Sequence, residues 1–253
     1  GPVMDMGSPH ESLSMIPFNR ALLINEDFES VGQVLRSGNL AGNGARCKAV
    51  ESLLSKMHNG AHALLTTSCT HALELSARLL DLSPGDEVIV PSFTFVSTAS
   101  AFMWNGARPV FADIRPDTLN IDLRSVEARL TTRTKAICIV HYGGVGADPK
   151  QFRELADSRN VALIEDNAHG LGGAFDGQPL GTFGSMAALS FHETKNITCG
   201  EGGALVCNDT THGERGAVLR DKGTNRGEFY AGNVDSYTWV DNGSSWVLSE
   251  VLA

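Results

Sequence analysis

The sequence contains no apolar run long enough to cross a membrane and no cluster of basic residues. Its formal net charge of −9 disfavours nucleic acid and anionic membranes as partners. The five cysteines are widely spaced and form no C-x-x-C pair, which argues against a disulfide framework or a zinc site. No H-E-x-x-H pattern occurs either, so metal catalysis has no support. We expect reduced thiols in a cytoplasmic protein without a catalytic metal.

The composition is that of a globular protein, with 42% hydrophobic and 19% charged residues in a chain of 253. Helical and strand-like patterns alternate, which predicts an α/β fold. The strand-like segments are nearly continuous apolar runs, which indicates a sheet covered on both faces. Predicted helices are 27–36, 47–57, one that opens at 67–70 and stops near 84–85, 96–104, 125–130, 151–158 and one from 245 onward. Predicted strands are 63–66, 87–90, 109–112, 136–140, 161–166, 187–191 and 204–207.

The chain divides into two unequal parts. Residues 1–14 are expected to be a remnant of an expression vector, with Met15 as the preferred native start. Residues 15–253 are expected to form one large domain. Because the last predicted helix is cut at Ala253, we expect the chain to be a fragment or truncated product.

Two motifs carry the expected chemistry. Lys195 follows a predicted strand, and its amine can form a Schiff base with an aldehyde. Asp166 ends another predicted strand, where α/β folds place ligands, and its carboxylate can keep a ring nitrogen protonated. Together they predict a site for pyridoxal 5'-phosphate (PLP), with Lys195 and Asp166 as catalytic residues. Each alone has an ordinary alternative, namely a solvated lysine or an aspartate that caps a turn.

Further residues are candidates for binding the cofactor. Ser68 and Cys69 lie where a predicted strand turns into a helix, whose N-terminus attracts phosphate, although an ordinary N-cap is the alternative. Ser190 is a second candidate donor to the phosphate. Phe95 can stack on the cofactor ring or belong to the core. His169 can hydrogen-bond the phenolic oxygen of the cofactor or serve only structure.

Two glycine-rich segments remain. Residues 170–175 partly match a dinucleotide-binding fingerprint but lack its last glycine, so we predict a turn. Residues 200–203 precede a strand, and their glycines are expected to turn tightly or to let backbone pass close to a ligand.

With these residues in hand, the chain resembles the DegT/StrS group of nucleotide-sugar aminotransferases. The resemblance runs from about residue 16 to the end, in the following motifs: Thr67-Ser68-Cys69-Thr70-His71-Ala72-Leu73-Glu74, Pro84-Gly85-Asp86-Glu87-Val88, Pro91-Ser92-Phe93-Thr94-Phe95-Val96-Ser97-Thr98, Glu165-Asp166-Asn167-Ala168-His169, Ser190-Phe191-His192-Glu193-Thr194-Lys195-Asn196 and Gly200-Glu201-Gly202-Gly203. It implies the three-layer α/β/α large domain of the fold-type I PLP-dependent transferases, with a mostly parallel mixed sheet. The family continues into a small C-terminal domain, which we expect to be absent or truncated here.

The resemblance also implies roles for single residues. Lys195 is the Schiff-base lysine, Asp166 meets the pyridine nitrogen and His169 meets the phenolic oxygen. The phosphate and the ring face are served by a further set: Ser68, Cys69, Ser190 and Phe95. Family members are homodimers with the active site at the interface. Ser245 stands where most relatives carry an Asn that reaches the partner's phosphate.

Three motifs look like the subgroup of dTDP-4-amino-4,6-dideoxygalactose transaminases: 192–196, Lys222-Gly223-Thr224-Asn225-Arg226 and Gly243-Ser244-Ser245. This implies L-glutamate as amino donor and a dTDP-linked 4-keto-6-deoxyhexose as acceptor. A non-catalytic binding or regulatory protein on the same fold remains the alternative. A sugar dehydratase of this fold would carry His in place of Lys195, and a Rossmann dehydrogenase would bind NAD instead of PLP.

Overall fold

A computed structural model describes residues 16–253 of the chain. The expected vector remnant 1–14 and the preferred start Met15 lie outside these residues. The strands are β1 His62–Thr66, β2 Glu87–Pro91, β3 Arg108–Ala112, β4 Thr134–Val140, β5 Ala162–Asp166, β6 Ala174–Phe175, β7 Gln178–Pro179, β8 Met186–Ser190 and β9 Gly203–Cys207. The helices are α1 Asn25–Ser37, α2 Ala45–Met57, α3 Cys69–Leu79, α4 Ser97–Trp104, α5 Leu123–Glu127, α6 Pro149–Arg159, α7 Thr210–Arg220 and α8 Arg226–Tyr230.

Seven strands form one sheet in the order β1-β9-β8-β5-β4-β2-β3. Strands β8, β5, β4, β2 and β3 are mutually parallel, whereas β9 runs antiparallel to both of its neighbours. Strands β2, β8 and β9 are buried along their whole length. The prediction of a mostly parallel mixed sheet covered on both faces is therefore confirmed.

Helices cover the sheet from both sides. Side chains alternate along a strand, so that Ile164 of β5 packs with α3, α4 and α7, and its neighbour Leu163 packs with α5 and α6. Helix α2 covers the β1, β9 and β8 end of the second face through Cys47 and Leu54. The result is the predicted three-layer α/β/α arrangement.

Local sequence explains where several helices begin and end. Ser68 caps α3 by accepting a hydrogen bond from the His71 amide, and Asp209 caps α7 in the same way through His212. Gly38 ends α1 with a φ of 71°, a left-handed conformation that glycine adopts without strain. The helices predicted at 27–36, 47–57, 96–104, 125–130 and 151–158 are confirmed with ends shifted by a few residues.

The helix predicted from Ser245 onward is wrong. Residues 245–248 form bridges between the end of β1 and the end of α7, and residues 250–252 form a turn. Val247 forms a bridge with Thr66, the Thr67 amide donates to the Trp246 carbonyl at 3.1 Å, and the Trp246 amide donates to the Arg220 carbonyl at 3.0 Å. Pairing with distant backbone has overridden a local pattern of helical spacing.

Other elements had no counterpart in the predictions. These are α7, α8, a short 3₁₀ turn at Tyr142–Gly144 and the β6–β7 hairpin. Leu171 and Gly172 form a turn, as predicted for this glycine-rich segment, and Ala174–Phe175 is strand β6 with no helix after it. None of the helices in the described range is long and apolar enough to cross a bilayer.

Burial predicts where truncation costs most stability. Leu75 of α3 is fully buried in the core, whereas Leu53 of α2 is 58% exposed. We expect Leu75→Ala to lower the free energy of unfolding by about 2–5 kcal/mol, through lost burial and the cavity left behind. The matched control Leu53→Ala is expected to change it by roughly 0.5 kcal/mol or less. Urea unfolding followed by circular dichroism measures both, and equal losses would contradict this packing.

Candidate active site

Most of the predicted site residues lie along one border of the sheet, the one formed by the carboxyl ends of the parallel strands. The carboxyl ends of parallel strands meet at the same edge, which is where α/β sheets bind ligands. Asp166 ends β5 and Ser190 ends the neighbouring β8, while Ser68 and Cys69 follow β1. Since β9 runs the other way, its first residue, Gly203, lies at this edge as well.

The Asp166 carboxylate is buried at the carboxyl end of β5. Asp166 is 5% exposed. Its Oδ2 accepts a hydrogen bond from the Thr98 hydroxyl at 2.7 Å, and its Oδ1 accepts one from the Ala168 amide at 3.3 Å. Burial raises the pKa of Asp166, while these two hydrogen bonds and the charges of His169 and Lys195 act in the opposite direction. The site therefore presents an acid whose negative charge is only partly compensated.

Thr98 is a site residue that the sequence interpretation gave no role. It lies fully buried in the first turn of α4, and its hydroxyl also pairs with that of Thr94 at 2.6 Å. The spacing of these two threonines, four apart just after a strand, was the available signal. Their pairing fixes segment 93–98 beside Asp166.

His169 lies next to the same acid. Its Nδ1 accepts a hydrogen bond from the Gly143 amide at 3.1 Å, and the Tyr142 ring meets its edge with centroids 5.7 Å apart. Because Nδ1 accepts, the proton of the neutral ring resides on Nε2, which is free to donate. Burial and the Lys195 charge lower the pKa of His169, and Asp166 opposes them.

Lys195 lies in the turn that joins β8 to β9. Its amide donates to the His192 carbonyl at 2.9 Å, and the turn is closed by the Glu193 amide bonding to Gly200 at 2.9 Å. Lys195 is half-buried. Its positive charge lowers the pKa values of Asp166, His169 and Cys69, so Lys195 lies within electrostatic range of all three. The structure thus places the predicted lysine within electrostatic range of the predicted acid, and their shared role at a cofactor stays a prediction.

The loop between β1 and α3 has the features of an anion site. The Cys69 and Thr70 amides belong to the first helical turn, whose N–H groups have no intrahelical partners. A Cβ placed on Gly203 would lie 2.4 Å from the Cys69 nitrogen and from the Ser68 carbonyl carbon. Only a residue without a side chain allows this approach of backbone to backbone. The expected approach of the 200–203 backbone to a ligand stays a prediction. Burial raises the pKa of the Cys69 thiol well above its usual range, so it is a neutral group.

Ser190 joins this loop through strand register. Gly203 pairs with Thr66 of β1 on one side and with Ser190 of β8 on the other. The Ser190 hydroxyl and the Ser68–Cys69 backbone therefore flank the same glycine. Ser190 is 7% exposed, so its hydroxyl sits within the protein rather than in bulk solvent.

Two predicted cofactor-binding residues are not placed in contact with this group. Phe95 is 73% exposed in the single chain, so that its ring face is free for stacking, but no partner within the described residues defines that role. Ser245 is exposed and forms a backbone bridge with Asp221. Its contact with a partner's phosphate stays a prediction.

His58 and His62 are four residues apart, a spacing that puts two imidazoles on one face of a helix. Here α2 ends at Met57, and His62 begins β1, so the pair shares no helical face. Within residues 16–253 no group of three or more His, Cys, Asp or Glu side chains is arranged to hold a metal ion.

A cleft of about 1230 Å³ lies away from Asp166, between α1, the 38–46 loop and α7. It contains none of the predicted site residues, so we assign the site from geometry and chemistry rather than from cleft size.

Comparison with known proteins identifies the family to which the chain belongs. Residues 22–253 match the model of the DegT/DnrJ/EryC1/StrS aminotransferase family. The chain belongs to this family. The resemblance stated from the motifs is confirmed, and so is the fold-type I architecture.

Solved structures of family members superpose closely. The aminotransferase TlmJ from Streptoalloteichus hindustanus is 34% identical with a TM-score of 0.87, over 94% of this chain and 63% of TlmJ. PseC from Helicobacter pylori, an aminotransferase involved in pseudaminic acid biosynthesis, is 30% identical with a TM-score of 0.86, over 93% of this chain and 62% of PseC. The Streptococcus pneumoniae protein Spr1654, solved in a PLP-form, is 28% identical with a TM-score of 0.82, over 94% of this chain and 64% of Spr1654. The chain thus spans about three-fifths of the length of these relatives.

The burial of Asp166 leads to a prediction about how stability depends on pH. Burial raises the pKa of Asp166 above its ordinary value of 3.8, so the ionised form is disfavoured in the folded state. Its favourable contribution to folding is complete below pH 3.8 and is lost as the pH rises through the folded-state pKa. We expect Asp166→Asn to stabilise the cofactor-free protein at neutral pH, with a gain that shrinks as the pH is lowered through that pKa.

Urea unfolding at a series of pH values measures this gain. The matched control is Asp235→Asn at an exposed position, which should leave the pH dependence of stability unchanged. A variant at Asp166 that is less stable than the wild type at neutral pH would contradict the assignment of a poorly compensated buried charge.

Proposed function

We propose that this chain is the cofactor-binding part of a PLP-dependent aminotransferase that acts on a nucleotide-linked keto sugar. The observation that carries the proposal is the convergence of Lys195, Asp166 and His169 at the carboxyl edge of the sheet, beside the N-terminus of α3. The solved PLP-form of a relative with this fold supports the choice of cofactor.

The donor set fits PLP group by group. Lys195 offers the amine for the aldehyde, and Asp166 offers a buried carboxylate for the pyridine nitrogen. His169 has its Nε2–H free for the phenolic oxygen because its Nδ1 is already engaged. The phosphate would be bound by the first turn of α3 and by three residues around it: Ser68, Cys69 and Ser190. Phe95 would cover one ring face.

The protein residues have distinct tasks. When bound, PLP supplies an electron sink for the bond that breaks at the α-carbon of the amino donor. Asp166 holds a proton on the ring nitrogen, and Thr98 keeps the carboxylate in place. Lys195 would take the proton from the α-carbon of the donor at its Nζ as a general base and would then deliver it as a general acid.

The finer identity of the substrates is also part of the proposal. The likeness of segments 192–196, 222–226 and 243–245 to the dTDP-4-amino-4,6-dideoxygalactose transaminases supports L-glutamate as donor and a dTDP-linked 4-keto-6-deoxyhexose as acceptor. TlmJ and PseC are themselves aminotransferases, and PseC is involved in the biosynthesis of pseudoaminic acid. We further propose a homodimer with the site at the interface and a cytoplasmic location. Large exposed apolar side chains support the homodimer: Phe95, Trp104, Tyr230 and Trp239.

Removal of Lys195 tests the catalytic assignment. We expect Lys195→Ala to abolish covalent attachment of PLP and to lower transamination by about 10²- to 10⁴-fold, because the proton carrier is lost. Borohydride reduction followed by peptide mass spectrometry locates the modified lysine. Lys56→Ala, at an exposed position in the last turn of α2, is the control and should leave both readouts intact. A modified lysine other than Lys195 would defeat the assignment.

An amino-transfer assay tests the substrates. The chain, or the longest natural form that contains it, is incubated with PLP, ¹⁵N-labelled L-glutamate and dTDP-4-keto-6-deoxyglucose. We expect the label in a dTDP-linked amino sugar by mass spectrometry, and less of it with the UDP-linked counterpart. Covalent PLP without transfer to any keto sugar would favour the alternative of a non-catalytic binding protein on this fold.

A further inference from the structure

The residue before Asp166 is a buried carboxylate with an unusual set of partners. Glu165 is fully buried and lies on the face of β5 opposite Asp166, because side chains alternate along a strand. Its two oxygens accept hydrogen bonds from the amides of Gly181 at 2.9 Å, Phe183 at 2.8 Å and Gly184 at 2.7 Å. All three donors belong to one turn, residues 180–184, which follows the β6–β7 hairpin.

A fourth donor shows the charge state of Glu165. His141 Nε2 lies 2.9 Å from Glu165 Oε1, and His141 Nδ1 lies 3.1 Å from the Ala147 amide nitrogen. An amide N–H can only donate, so Nδ1 accepts, the imidazole is neutral, and Nε2–H donates to Glu165. Glu165 thus accepts four N–H groups and is an ionised carboxylate stabilised by fixed dipoles.

The residue after Asp166 holds the same turn. Asn167 is fully buried, and its Nδ2 donates to the Leu180 carbonyl at 3.1 Å. Its Oδ1 has no hydrogen-bond partner among the described residues, and it packs so closely on Gly170 that an added Cβ there would lie 2.1 Å away. A Cβ on Gly184 would lie 2.4 Å from the Leu163 carbonyl oxygen. The turn is therefore pressed against β5 on both sides of Asp166.

Asp166 is the last residue of β5. The amide of the next residue, Asn167, still donates to the Ala188 carbonyl of β8 at 2.9 Å, and the backbone leaves the sheet after it. The Asp166 side chain has Thr98 as its side-chain donor. The 180–184 turn is hydrogen-bonded to Glu165, one residue before Asp166, and to Asn167, one residue after it. His141, through its backbone amide, also donates to the Asp166 carbonyl at 3.2 Å.

We propose that Glu165 and Asn167 are positioning residues, which fix the Asp166 carboxylate by binding the 180–184 turn from both sides. The proposal rests on the proposed function, in which Asp166 serves the cofactor ring. Neither residue faces the cofactor edge itself. A shift of about 1 Å in a positioned group can cost on the order of 10²-fold in rate, so such support has a measurable effect on catalysis.

The test uses a readout that needs no cofactor. Asp carboxyls are labelled with ¹³C, and Asp166 is assigned by the signal that Asp166→Asn removes. The titratable groups that act on this carboxyl are Lys195 and His169, and the carboxyl in turn raises the pKa of the Cys69 and Cys138 thiols. We expect Glu165→Gln and Asn167→Ala to lower the pKa of Asp166 toward its ordinary 3.8, because a loosened turn admits water. Asn167→Ala changes no charge, so its effect cannot come from a lost neighbouring anion.

A buried glutamate at the other end of the sheet is the matched control. Glu87 begins β2, is 1% exposed and is held by Arg108, Arg133 and the Thr131 hydroxyl. Glu87→Gln is expected to lower the thermal midpoint and to leave the Asp166 titration unchanged. If Glu165→Gln and Asn167→Ala behave like this control, the two residues are merely structural and the inference is overturned.

A second readout links the support to the reaction. With PLP bound, we expect Glu165→Gln to lower transamination by roughly 10- to 100-fold while borohydride still traps the cofactor on Lys195. Failure of the wild-type chain to bind PLP would contradict the proposed function, yet the carboxyl titration would still decide the positioning role. The two ideas therefore fail on different measurements.

Discussion

The buried carboxylate of Asp166 is the constraint around which this edge of the sheet is arranged. Removing a carboxylate from water is costly unless hydrogen bonds and opposite charges replace the solvent. Here one hydroxyl, one amide and two nearby basic side chains replace it only in part. A cationic ring opposite Asp166 would complete the compensation, so the same residue that weakens the isolated fold would strengthen its hold on a cofactor.

Sheet topology explains how residues far apart in sequence reach this acid. Parallel strands β5 and β8 bring Asp166 and Ser190 to one edge, and β1 delivers the first turn of α3 beside them. The reversed strand β9 then returns the chain from Lys195 directly against the Ser68–Cys69 backbone. The lysine turn and the Ser68–Cys69 loop are consequently connected through strand β9.

The sequence predicted those features that short-range chemistry controls. Continuous apolar runs marked the central strands, and the polar residues that follow them marked the Asp166 and Ser68 ends of the sheet. The segment after Ser245 was wrongly predicted because its helical spacing is local, whereas its actual partners, Thr66 and Arg220, are remote. The Glu165 network escaped prediction for the same reason. Its donors come from a turn that has no pattern of its own until it packs against β5.

The placement of β1 has a consequence for biosynthesis. Among the described residues, β1 is an edge strand that pairs with β9, with Thr66 opposite Gly203, and Val247 adds one bridge at Thr66. A nascent chain emerging from the ribosome would therefore carry β1 without its partner until Cys207 has been translated, since contacts so distant in sequence form late. During that interval the backbone N–H and C=O groups of β1 have no strand partner and can pair with other polypeptides. Chaperone occupancy on the ribosome should therefore peak before β9 appears.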